Sequence, residues 1–172
     1  MHRAIIGERT PNLFLLHYVR PQLRVESVVL IPHFAFSLSC LERRKALSKT
    51  ARRSGYIGCY FALDRIPPDA RIPVVHAGIP TPPHEVRSAY ARVRPLEELA
   101  IEKRGWTLDV LNVVRSLGKQ EFQLSDVYAH SDELARLHPD NRHVNPKIRQ
   151  QLQVLRDLRL LEFLTPGHYR LP

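Results

Sequence analysis

The spacing of apolar positions changes partway along this chain. From 12 to 76 they cluster in short blocks of strand length; beyond 84 they recur every three or four positions. The block 12–18 is nearly continuous, Leu13-Phe14-Leu15-Leu16 among it, and predicts a strand buried on both faces. A second strand is predicted over 23–31, closed by Pro32, a third over 56–63 and a fourth over 72–76. The opening 1–6 reads as the tail of a helix ending near Gly7. The proline-rich 78–83 breaks the pattern, and Val86, Tyr90 and Val93 then predict a helix over 84–94 that Pro95 restarts towards Lys103.

Helical spacing holds for the rest of the chain. Leu108, Leu111, Val114 and Leu117 predict a helix opened at 105–107 with Thr107 as its cap and stopped by Gly118. A short extended piece at 121–124 follows. Ser125-Asp126 is expected to cap a helix through Val127, Tyr128, Leu134 and Leu137 to His138-Pro139. Asn145-Pro146 is expected to open the next helix as cap and first-turn proline, with Ile148, Leu152 and Leu155 inward and Gln150, Gln153 and Asp157 opposite. Thr165-Pro166-Gly167 then turns a terminal hairpin. The order helix, strand, helix, helix, hairpin is that of a winged helix-turn-helix. The fold class is therefore α+β: a β-rich part over 1–95, then a winged-helix domain over 96–172.

Charge narrows the partner. The chain carries 26 Lys and Arg against 17 Asp and Glu, a formal charge of +9. Arg43, Arg44, Lys45, Lys49, Arg52 and Arg53 face only Glu42. Such a chain attracts polyanions, nucleic acid first and acidic membrane surfaces second, and the absence of a long apolar span weakens the membrane reading. The default alternative for any charge run is a solvated surface. Two cysteines in no zinc spacing make no four-cysteine site; Cys59, in an apolar run, reads as a small core residue. With no leader segment, a reducing, cytoplasmic location is expected.

Catalytic patterns are missing: no Gly-rich phosphate loop, no His-Glu-x-x-His, no Gly-x-Ser-x-Gly. His138 and His143 read as residues of a solvent-facing loop, Asp64 and Asp69 as turn residues, and Trp106 as a core anchor. Candidate DNA contacts remain. Arg52 and Arg53 suit phosphates, with Tyr56 between glycines placed either near bases or in the core. Lys147, Arg149, Gln150 and Gln153 have the chemistry for groove readout, since Gln pairs with adenine and Arg or Lys with guanine or phosphate. His168 at the wing would reach a backbone or minor groove.

Several segments carry a family resemblance: Pro11-Asn12-Leu13-Phe14-Leu15, the run Thr50-Ala51-Arg52-Arg53-Ser54-Gly55-Tyr56-Ile57-Gly58-Cys59, Arg104-Gly105-Trp106, and Pro146-Lys147-Ile148-Arg149-Gln150-Gln151-Leu152-Gln153. In this order they resemble the Dam-replacing, DpnI-like restriction endonucleases, from about Asn12 to the end. The resemblance implies a PD-(D/E)xK nuclease part followed by a winged helix. It also implies double-stranded DNA with N6-methyladenine in GATC as substrate. For the full-length family it implies a divalent metal such as magnesium, and zinc. In that family the metal-binding acids, the lysine and a four-cysteine zinc site precede the Asn-Leu-Phe-Leu strand, and here only residues 1–11 do. The chain is accordingly expected to be a truncated, C-terminal part with no cofactor of its own, binding DNA without cleaving it alone. Where the family commonly has tryptophan after Ala-Arg-Arg-x-Gly, this chain has Tyr56. Two other readings stand beside this one: a winged-helix transcriptional regulator or protein-interaction module, and a decayed fragment without function.

Overall fold

The computed structural model describes Ile5, Gly7 and residues 10–172; the helix expected over 1–6 lies largely outside the described residues. The N-terminal part is built on a four-stranded antiparallel sheet. Its strands are β1 (Leu13–Val19), β2 (Arg24–Ile31), β5 (Ile72–His76) and β6 (Ile79–Pro80), in the order β1-β2-β5-β6. A separate hairpin is made by β3 (Leu41–Arg43) and β4 (Cys59–Phe61). The helices are α1 (Pro83–Val93), α2 (Ile101–Ser116), α3 (Leu124–Tyr128), α4 (Ser131–Leu137) and α5 (Val144–Asp157). A three-stranded sheet of β7 (Glu121–Gln123), β8 (Glu162–Thr165) and β9 (His168–Arg170), in the order β7-β9-β8, completes the winged-helix arrangement. Mixed helix and sheet, with the helix-turn-helix last, is the class the pattern predicts.

Burial on both faces fails for β1. It is an edge strand of the described sheet, and its side chains alternate: Leu13 and Leu15 pack inward on the cluster of Ile31, Phe36 and Ile66, while Phe14, Leu16 and Tyr18 face out. A continuous apolar run does not by itself say that both faces are covered. The strand expected over 56–63 shrinks to Cys59–Phe61, because Leu63 turns into a 3-10 helix and 44–58 forms an irregular arm. Cys59 is exposed there, and Cys40 is the buried cysteine instead.

The centre of the molecule is α2. Nine of its residues are buried, charged Arg104 and Asp109 among them. The helix opens at Ala100, several residues before the expected start, so Thr107 is an interior residue and not a cap. Its Oγ1 lies 2.9 Å from the Lys103 carbonyl and 2.7 Å from Gln151 Oε1, sharing one proton between the preceding turn and α5. The Arg104 guanidinium donates to the carbonyls of Leu96, Glu97 and Leu99, closing the 3-10 turn Arg94–Glu98 that Pro95 opens. Arg115 grips Asp69 at 2.6 and 2.8 Å, and Asn112 Nδ2 donates to the Asp64 carbonyl at 3.0 Å. Asp69 therefore holds a helix as well as a turn. One apolar core runs through both parts, from Leu30, Phe34 and Ile72 under α1 to Leu111, Leu152, Leu155 and Leu171.

Candidate nucleic-acid interface

Helix α5 is amphipathic by spacing: Ile148, Gln151, Leu152 and Leu155 are buried, which turns Arg149, Gln150, Gln153 and Arg156 to solvent. Its opening differs from expectation. The helix begins at Val144 after His143, so Asn145 and Pro146 lie inside the first turn. Asn145 Oδ1 accepts instead from Ser131 Oγ at 2.6 Å, pinning α5 to α4, and Asn141 Oδ1 takes the His143 N–H at 2.7 Å. Earlier in the domain Gln123, not Ser125 or Asp126, is the cap of α3, in a capping box whose other member is Asp126. The helix predicted from there to His138 is broken at 129–130 into α3 and α4.

Within the outward face, Lys147 Nζ donates to Gln150 Oε1 at 2.9 Å. With its carbonyl engaged, Gln150 has its amide N–H groups turned to solvent. Gln151, buried, ties α5 to α2 through its bond to Thr107. Arg149 and Gln153 are exposed, one turn apart on the same face. Arg156 completes the row, its guanidinium 4.7 Å from the Phe163 ring centroid and bonded to Asp157 Oδ1 at 2.9 Å. Arg156 stands outside the expected set of DNA contacts, although its spacing from Arg149 and Gln153 puts it on that face.

The wing turns at Pro166-Gly167, where Gly167 takes φ +76 and its carbonyl receives the Leu124 N–H at 2.8 Å. Proline then glycine with positive φ suits a type II turn. His168 does not stand clear of the wing: its Nε2 lies 3.4 Å from Glu121 Oε2. Glu121 also takes Arg170 Nε and Nη2 at 3.0 and 2.8 Å, and that bond holds the Arg170 guanidinium protonated above its ordinary range.

The arm 44–58 continues the β3–β4 ladder loosely, through Arg44 N–H to the Gly58 carbonyl at 3.0 Å and Leu47 N–H to the Tyr56 carbonyl at 2.9 Å. Arg52, Arg53 and Tyr56 are exposed near its tip, with Arg53 5.8 Å from the Tyr56 ring centroid. Tyr56 is thus on the surface, and the core alternative falls away. Near the base Arg44 sits 4.7 Å from the Tyr60 ring centroid, a second cation–aromatic pair that sequence spacing did not disclose. Glu42 is taken by Arg65 at 3.1 Å. Among the described residues, no carboxylate pairs with Arg43, Arg44, Lys45, Lys49, Arg52 or Arg53, so the arm is a strip of uncompensated positive charge.

The family model for the Dam-replacing family matches residues 1–99, and that for the Dam-replacing HTH domain matches residues 102–171. The chain belongs to the Dam-replacing (DpnI) family. It is a DNA-binding protein related to DpnI, with an N-terminal DpnI part and a C-terminal helix-turn-helix domain that contains α5. The described part of this Dam-replacing chain gathers no three His, Cys, Asp or Glu side chains able to hold a metal ion. No helix among the described residues is long and apolar enough to cross a membrane.

His138 departs from the solvent-facing role expected of it. Its ring stacks on Trp106, centroids 3.9 Å apart and planes 15° from parallel, and its Nε2 lies 2.8 Å from Asp109 Oδ2. Asp109, 3% exposed, also accepts from Ser39 Oγ at 2.7 Å. This chain ties the N-terminal part, α2 and the approach to α5 together. Trp106 is buried, as a core anchor should be.

Proposed function

We propose that this chain binds double-stranded DNA carrying N6-methyladenine in GATC, reading it with α5 and holding the backbone with the 44–58 arm. The observation that carries this reading is the outward row Arg149, Gln150, Gln153 on a helix whose other face is locked into the core by Leu152 and Gln151. A helix fixed in this way needs no backbone ordering on binding, so that part of the cost of association is already met by folding. Gln153 offers the donor–acceptor pair that complements adenine in the major groove, Gln150, its carbonyl engaged by Lys147, offers its amide N–H groups, and the arm supplies phosphate neutralisation from Arg52 and Arg53. Binding without cleavage is the activity proposed.

The test is fluorescence anisotropy with methylated and unmethylated GATC duplexes across a salt series. Tighter binding of the methylated duplex is expected, with log K falling steeply with log salt. Arg52→Ala and Arg53→Ala should each flatten that slope by about 1, whatever the sequence. Gln150→Ala should cost about 1–3 kcal/mol on GATC and little on unrelated DNA. Equal, salt-insensitive affinity for both duplexes would end the reading, and strong binding with no methyl preference would favour a plain winged-helix regulator.

A further inference from the structure

Between the 37–39 turn, α2 and the 137–143 loop lies an open cleft of about 980 Å³. That is at the upper end of the volumes that hold small organic ligands, and such sites favour the junction of two structural parts. Its apolar wall includes Trp106 and the His138 ring stacked on it. Its polar wall is Ser37 and Ser39, whose hydroxyls lie 2.5 Å apart, with Ser39 donating on to buried Asp109. Asp109 holds the His138 ring from the other side, so aromatic and hydroxyl walls are fixed relative to each other by one carboxylate. The rim carries Glu102 and Asp140 against Arg142 and Lys147, two acids to two bases. The formal charges of these four rim residues cancel, unlike those of the arm.

From this we infer that the cleft binds a planar, uncharged nitrogen heterocycle: a nucleobase, presented as a free nucleoside or as a base displaced from a DNA end. Stacking accounts for the aromatic wall, and the serine oxygens, whose own protons are committed to each other and to Asp109, accept from the exocyclic N–H of such a ring. The site goes beyond the proposed groove reading and uses none of Arg149, Gln150 or Gln153.

Trp106 is the chain's one tryptophan, so its emission reports on the cleft directly. Full-length chain titrated with adenosine and N6-methyladenosine should show a saturable change in emission. Inorganic phosphate should give none, and AMP should bind no more tightly than adenosine. Gly105 lines the cleft inside α2, where an added Cβ would meet only Ser37 Cβ, at 3.9 Å. Gly105→Leu therefore fills the cleft from a helical position and should weaken nucleoside binding by about tenfold or more. Ser39→Ala, a smaller change, should weaken it about three- to tenfold through the lost hydroxyl. A duplex with a 2-aminopurine overhang separates the sources: quenching of that base on binding identifies a DNA end, and a silent overhang with saturable adenosine identifies the free nucleoside. No saturable change with any nucleoside or overhang, unchanged affinity in both folded variants, or an equal response to phosphate overturns the inference. Anisotropy on GATC duplex with the same variants keeps the two readings apart, because duplex affinity should survive Gly105→Leu even where nucleoside binding is lost.

Discussion

Asp126 and the two cysteines show how position overrides residue type. The Asp126 carboxylate takes the Gln123 N–H at 2.8 Å and the Lys119 ammonium at 3.0 Å, and these bonds, the backbone one first, hold its pKa below the ordinary carboxylate value. A carboxyl with a depressed folded pKa stabilises the fold above its unfolded pKa of about 4, and that contribution disappears as pH falls through the lower folded value. Asp126→Asn should accordingly melt lower than the parent at pH 7, the gap closing as melts are repeated towards pH 3. Burial pushes the Cys40 thiol up to about 11, so it stays protonated and inert at neutral pH, whereas Cys59 is open to solvent. A thiol reagent at pH 8 should therefore modify one cysteine of the folded chain quickly, found at Cys59 by peptide mapping, and both in denaturant. Rapid double labelling without denaturant would contradict the burial of Cys40.

Among the elements, the ones legible beforehand were those with an uninterrupted helical or alternating period. The inward set Ile148, Leu152 and Leu155, the stop at Gly118 (φ +63), the β7 strand and the terminal hairpin all follow from local spacing and turn chemistry. Helix starts were less legible, since a polar residue before an apolar run has several possible bonding partners. Thr107 turned to its own preceding turn and to the distant Gln151, and Asn145 to Ser131 on the preceding helix, contacts that local spacing does not specify. The candidate site divides the same way. Spacing gave the outward face of α5, but the engagement of His168 by Glu121 and of His138 by Trp106 and Asp109 depends on contacts across elements. Because α5 is fixed by its apolar face, Leu152→Ala should destabilise the chain by about 2–5 kcal/mol in urea titrations, with its DNA contacts chemically intact. A loss below 1 kcal/mol would mean that α5 is not seated as described.

At the scale of the whole molecule, the sheet and the winged helix are not two beads on a string. The core passes without a break from Leu30 and Ile72 to Leu155 and Leu171, and α2 is bonded to both sides through Asp109, Asn112, Arg115 and Thr107. Unfolding should therefore be one cooperative event, with Trp106 emission and far-ultraviolet circular dichroism giving superimposable urea curves. Two resolved steps would show that the parts come apart independently. The outer row of β1 has a different outcome. Phe14, Leu16 and Tyr18, 58%, 60% and 45% exposed, stand beside a strand edge that pairs with no further strand among the described residues and has no Lys, Arg, Asp or Glu among Leu13–Val19. Proteins ordinarily guard such an edge with lysine, proline or a covering segment. Kept concentrated and warm, the purified chain should turn cloudy by strand-to-strand accretion, and a lysine in place of Leu16 should keep the solution clear.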